Sequence, residues 1–205
     1  SLNYLLGLSF LQSNLDKKFN PKIILEIGGG YGTLGEILKK SNLKNFKYIN
    51  VDVAPIIFFS KLYLSKVFNI KKIKSFKQFD RWKTISVTKL NKINFFCPWQ
   101  LKKLKGKISL FVNFISFQEM EPDIVKNYLD FVINLKPQFI LLRNLREGKN
   151  LKSGLKRSYV KKPVTTKFYL NTLRKFYKLN KSDAFTFGEK KIDGFHSEIL
   201  LFKRI

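Results

Sequence analysis

The chain has 205 residues, 44% hydrophobic and 15% aromatic, and its 40 Lys and Arg against 14 Asp and Glu give a formal charge of +26. That size and apolar content build one domain with a sizeable core and exclude a disordered chain. The single cysteine, Cys97, excludes an internal disulfide and a cysteine-rich zinc site, and it fits a reducing, cytoplasmic compartment.

In chain order, YLLGLSFLQ at 4–12 is too short to span a bilayer. It lacks the basic lead and the small-residue cleavage site of a secretion signal. Leu2, Leu5, Leu6, Ser9 and Leu15 fit one helical stripe, so a leading helix within residues 1–20 is expected to pack on a sheet. The chain begins at Ser1 without a methionine and is expected to be part of a longer one. Ile23, Ile24, Leu25 and Ile27 predict a buried strand over about 22–28. Gly28, Gly29, Gly30 and Gly32 predict a turn, and the segment from Leu34 predicts a helix ending near 41–42. FKYINVDVA at 46–54 predicts the second strand, and Pro55 opens a helix that runs to about Phe68.

Residues 69–92 carry no clean period, although Trp82 to Val87 are compatible with a strand. INFFCP at 93–98 and KISLFVNFIS at 107–116 predict the third and fourth core strands. Val125, Leu129 and Val132 mark one face of a helix from Pro122 to Leu135, and PQFILLRNL at 137–145 predicts the fifth strand. The basic stretch from Arg146 to Lys167 reads as a loop that either closes over a substrate or is merely solvated. Thr172 to Tyr177 predict a short helix, and two strands near 184–188 and 196–203 predict a closing hairpin. The expected fold class is α/β: one domain, a mostly parallel seven-stranded sheet with helices on both faces, and a C-terminal antiparallel hairpin.

The glycine turn between strand and helix is a nucleotide cradle, because free N–H groups at a helix start attract anions and glycine lets a ligand approach the backbone. Two frames fit it. Gly30-x-Gly32-x-x-Gly35 matches the dinucleotide fingerprint. Glu26-x-Gly28-x-Gly30-x-Gly32 resembles motif I of the class I S-adenosylmethionine methyltransferases, with Tyr31 inside it. A pyrophosphate disfavours a nearby carboxylate, whereas an ammonium and a sulfonium welcome one, so Glu26 selects S-adenosylmethionine. Asp52 ends the second strand, where an acid accepts the hydroxyls of a ribose; its other reading is a cap of the helix at Pro55.

Further on, Asn113 with Ser116-Phe117-Gln118-Glu119-Met120, and Asn144 with Arg146-Glu147-Gly148-Lys149, join the glycine motif in an order that resembles the putative sugar O-methyltransferase family. The likeness runs from about residue 20 to 204. Five strands linked by helices and then a hairpin is also the class I methyltransferase layout. The resemblance implies a sugar hydroxyl as acceptor, in surface polysaccharide or glycan synthesis.

Methyl transfer to a hydroxyl needs an aligned oxygen and a base. Glu119, just beyond the fourth strand, and His196, the only histidine, are the candidate bases. Glu119 has a second reading as a cap of the helix at Pro122, and His196 one as a structural histidine. Asn113 is expected beside the cofactor and the acceptor hydroxyls, with Gln118 and Asn144 on the acceptor. Arg143, Arg146 and Lys149 are expected to bind an acidic or nucleotide-linked sugar. Trp99 either stacks on adenine or packs in the core.

No metal is expected, since Pro122 interrupts Glu119, Glu121 and Asp123 and only one histidine is present. Two alternatives stand beside this reading. One is an NAD-dependent oxidoreductase built on Gly30, Gly32 and Gly35. The other is a nucleic-acid methyltransferase or RNA-binding module, suggested by the charge. The charge is mostly lysine, spread over the chain and inflated together with Asn, Ile and Phe, as an A/T-rich coding sequence alone produces. No stable nucleic-acid partner is therefore expected. Residues 113–121 also lack the Asn-Pro-Pro-Tyr signature of base methylases.

Overall fold

A computed structural model describes residues 2–16, 19–71, 73, 76–149, 160–184, 191–192 and 195–205. Seven strands form its main sheet: β1 (Ile23–Ile27), β2 (Lys47–Val51), β3 (Ile93–Phe96), β4 (Leu110–Phe114), β5 (Phe139–Leu145), β6 (Tyr177–Asp183) and β7 (Phe195–Arg204). Their order across the sheet is β3-β2-β1-β4-β5-β7-β6. The first five run parallel, and β7 lies antiparallel between β5 and β6. A two-residue strand, Lys191–Ile192, pairs with the start of β7. Ile85–Ser86 and Leu104–Lys105 form a separate parallel pair.

Among the described residues six α-helices accompany them: α1 (Leu2–Asn14), α2 (Thr33–Lys40), α3 (Ala54–Val67), the single turn α4 (Phe76–Phe79), α5 (Pro122–Asn134) and α6 (Thr166–Leu173). The strands alternate between two cores. Ile24, Tyr48, Val112, Leu141 and Leu201 face Leu11 of α1, Leu34 and Leu38 of α2 and Ile57 and Leu64 of α3. Leu25, Ile27, Phe111, Ile140 and Phe202 face Val125, Leu129 and Val132 of α5 and Tyr169 and Leu173 of α6. A strand covered on both faces reads as an unbroken apolar run, which is why β1 was legible. Pro55 and Pro122 sit in the first turns of α3 and α5, where the missing N–H costs nothing.

Four expectations need correction. The α1 stripe is wrong: Leu2 and Leu5 are 65% and 49% exposed, and Gly7 and Leu11 are the buried positions. A Cβ on Gly7 would lie 2.2 Å from the Phe114 ring, so the helix docks through its glycine. Of Trp82 to Val87, only Ile85–Ser86 is extended. The helix placed at Thr172 to Tyr177 lies earlier, because Thr165 caps it and buries Tyr169 and Leu173 one turn apart; Tyr177 already begins β6. The partner of the last strand is therefore Tyr177–Asp183 rather than 184–188, most of which lies outside the described residues. Among the described residues no helix is long and apolar enough to cross a membrane.

Candidate active site

The carboxyl ends of the parallel strands β1 to β5 lie at one edge of the sheet; most of the sequence candidates lie there or in the loops that follow, Trp99 after β3, and His196 stands at the start of antiparallel β7 beside the end of β5. After β1 the backbone turns sharply: Gly28 N–H donates to Val51 O at 2.8 Å, and Gly32 N–H to Gly29 O at 2.9 Å. Gly30 has φ +55°, and a Cβ built there meets nothing within 4 Å. Its left-handed backbone thus faces open space, where a ligand can approach. Its N–H donates to Asp52 Oδ2 at 2.8 Å, and Asp52 Oδ1 accepts from Val53 N–H at 2.7 Å. The Asp52 carboxylate is held at the lip of the cradle by two backbone bonds. The second bond lies just before α3, whose N-cap is Val53 with no side-chain cap bond, so Asp52 stands beside the cradle and does not cap the helix. Tyr31 projects from the turn, with its ring edge-on to Phe59.

Beneath the turn lies Glu26, fully buried. A Cβ on Gly29 would lie 2.6 Å from its carboxylate oxygen, so glycine lets the turn close over the acid. The Tyr48 hydroxyl donates to Glu26 Oε2, while Glu26 Oε1 and Asn50 Oδ1 are sealed without a partner. Burial pushes the Glu26 carboxyl up to about 7 against the pull of the Tyr48 and Tyr4 hydroxyls, and Asp52 adds to the rise.

At the ends of β4 and β5 the predicted ligand contacts are bonded to the chain itself. Asn113 Nδ2 donates to Ile27 O at 2.9 Å and to Ser116 Oγ at 2.6 Å. Asn113 Oδ1 accepts from Asn144 Nδ2 at 3.1 Å. Asn144 Oδ1 accepts from Gln118 N–H at 3.2 Å, and Gln118 Oε1 from Leu145 N–H at 2.8 Å. Asn113, Gln118 and Asn144 are buried and form a polar clamp that joins β1, β4 and β5. These bonds tie the ends of β4 and β5 and the turn after β4 to β1. Within this clamp Ile115 takes φ +72°, a conformation that costs a β-branched residue energy.

Beyond the clamp two ion pairs and a carboxylate–imidazole hydrogen bond line the edge. Glu119 pairs with Lys149 at 2.8 Å and Arg146 with Glu198 at 3.5 Å. The third joins Glu147 to His196 Nδ1, and the His196 backbone N–H donates to the same carboxylate at 3.1 Å. Burial raises the Glu147 carboxyl, but these bonds from His196 outweigh it and hold the acid below its usual range. Glu147 is the functional candidate that sequence reasoning missed, although it stood inside the quoted Arg-Glu-Gly-Lys stretch. Glu119 does not cap α5; Glu121 occupies that position. Trp99 is 50% exposed, with Nε1 donating to Asp80 Oδ1 at 3.3 Å, which rules out the core reading. Arg143 also departs from expectation. It is buried, away from Arg146 and Lys149, on the α1 side of the sheet with Leu141, Phe114 and Ile199. Among the described residues no group of three or more metal-ligating side chains is gathered.

No protein-family model matches the sequence, and no match was found among curated proteins. Solved structures do match. The methyltransferase domain of bacterial CtHen1 superposes with a TM-score of 0.66 at 15% identity, over 99% of this chain and 98% of that one. The fold is that of the Rossmann-like methyltransferases. The magnesium protoporphyrin IX methyltransferase of Synechocystis PCC 6803, solved with bound S-adenosylhomocysteine, matches at TM-score 0.66 and 12% identity over 100% of this chain and 84% of that one. Mitomycin 7-O-methyltransferase matches at 0.62 and 11%, over 98% of this chain and 54% of that one. This methyltransferase fold, with β7 antiparallel between β5 and β6, departs from the parallel 3-2-1-4-5-6 order of dinucleotide-binding sheets.

Proposed function

We propose that the protein is an S-adenosylmethionine-dependent O-methyltransferase, and that its acceptor is a sugar hydroxyl. The observation that carries the cofactor is the open, left-handed Gly30, tied to Asp52 and stacked above a buried acid with a partnerless oxygen. These residues fit the donor. Asp52 would accept the ribose hydroxyls, Glu26 would face the ammonium, and the exposed Trp99 ring beyond β3 would offer adenine a stacking surface. When bound, the cofactor supplies a methyl group on a cationic sulfur.

For the base, the dyad favours His196 over Glu119. Binding Nδ1 to the Glu147 carboxylate leaves Nε2 as a proton acceptor and fixes the ring. Glu119 is instead held by Lys149. The polar rim of Arg146, Glu198, Glu119 and Lys149 suits a hydroxylated or anionic acceptor such as a nucleotide-linked sugar. The resemblance in the Ser-Phe-Gln-Glu-Met and Arg-Glu-Gly-Lys stretches supports a sugar in glycan synthesis, and the lone buried Cys97 supports a cytoplasmic site of action. A second reading, an RNA acceptor, is favoured by the +26 charge and by the solved small RNA methyltransferase HEN1, which matches at TM-score 0.62 and 14% identity over 25% of its own length.

The test is calorimetric titration with S-adenosylhomocysteine, with NADH in parallel, followed by transfer of labelled methyl to sugar and RNA acceptors. Micromolar binding of the first ligand alone is expected, with Asp52→Ala losing it. NADH binding alone would overturn the cofactor assignment. His196→Gln should lower turnover by roughly 10²- to 10⁴-fold with donor affinity intact, and Glu119→Gln should change neither. Label recovered only in RNA would decide for the second reading.

A further inference from the structure

We propose that Arg143 binds the free carboxylate at the amino-acid end of the methyl donor, opposite Glu26 on the ammonium; this rests on the donor reading above. Arg143 is only 3% exposed, and its Nε and Nη1 are sealed without a hydrogen-bond partner. Among the described residues no carboxylate forms an ion pair with it. Burial lowers its affinity for a proton, yet a guanidinium stays charged in a protein. A buried cation without an anion is costly, and a ligand that brings the anion removes the cost.

The position favours this ligand. Arg143 pairs in register with Phe114, whose ring touches Tyr4 with centroids 5.1 Å apart, and Tyr4 lies beside Glu26. Arg143 O accepts from the strained Ile115 N–H at 2.7 Å. The next residue, Asn144, reaches through Asn113 to Ile27 O, one step before Gly28. Glu26 alternates with Ile24, and Arg143 with Leu141, so both point to the α1–α3 side of the sheet. Only β4 separates their strands, roughly 10 Å of sheet. One acid and one guanidinium, each with sealed, unpaired polar atoms, are the electrostatic complement of an α-amino acid zwitterion. A phosphate or an acidic sugar would satisfy Arg143 and leave Glu26 without its cation.

The experiment compares S-adenosylhomocysteine with 5′-methylthioadenosine, which keeps the adenosine and sulfur and lacks the amino-acid head. Arg143→Met should weaken the first by roughly 10- to 100-fold and leave the second within twofold. Arg143→Lys should recover part of the loss. The melting temperature of ligand-free Arg143→Met should equal or exceed that of the wild type, because an unpaired charge is replaced by an apolar chain of similar reach. Unchanged S-adenosylhomocysteine affinity would overturn the assignment. Equal losses for both ligands, or a lowered melting temperature, would mark Arg143 as structural. Failure of the wild type to bind either ligand would bring down the donor reading itself, and this assignment with it.

Discussion

Burial holds the Glu26 carboxyl near 7, against about 4.3 for a free glutamate. Between those values the folded chain keeps a proton that the unfolded chain has released. Folding stability therefore falls as pH rises from about 4.3 to 7, by on the order of a few kcal/mol. The groups facing Glu26 are the Tyr48 and Tyr4 hydroxyls and Asp52, and its shift already includes all three. Glu147 has the opposite sign: its carboxyl is depressed, so its contribution is present above the unfolded value and lost at lower pH, outside this window. Glu26→Gln should flatten the slope, read as melting temperature of ligand-free protein at pH 5, 6, 7 and 8. Parallel curves for wild type and variant would refute this account. Donor affinity should move the other way, tightening through pH 7 as the acid ionises to meet an ammonium. The glycine turn, Glu26 and Asp52 were legible because strand, turn and acid are contiguous or follow a known spacing. The Glu147–His196 pair was not, since 49 positions separate its members and only the pairing of β7 with β5 brings them together.

Among the elements, the covered strands announced themselves and the outer one did not. β1 is buried at every position, so any residue there must be apolar or specially accommodated. β6 has one buried residue, Tyr177, and its remaining side chains include Lys178, Asn180 and Lys181, a pattern that reads as loop. In α1 the apolar residues surround the helix, so the stripe read from the sequence was not the docking face, and a glycine sets the docking depth instead. Gly7→Ala tests this. Its Cβ would overlap the Phe114 ring, and Phe114 is also in contact with Tyr4. A loss of about 1–3 kcal/mol is expected, measured by urea denaturation. The usual gain of alanine over glycine inside a helix would argue that α1 docks more loosely than described.

For the whole molecule, the +26 charge is spread widely rather than gathered at the candidate site, where Glu119 and Glu198 balance Lys149 and Arg146 and Glu147 adds a further carboxylate. The charge also bears on β6, whose outer side has no strand beside it among the described residues. A bare sheet margin is a template on which a second copy can add its own strand. Lys178 and Lys181 line that margin, and the β7–β6 register slips between Leu201 and Phe202, which breaks the flatness a second strand needs. Repulsion between chains of this charge reaches about 10 Å at 0.1 M salt and about 3 Å at 1 M. Light scattering should therefore show single chains at low ionic strength, and growing assemblies in 1 M salt for a Lys178→Val/Lys181→Val variant before the wild type. The lysines that made β6 unreadable as a strand would then be what keeps the protein soluble as one.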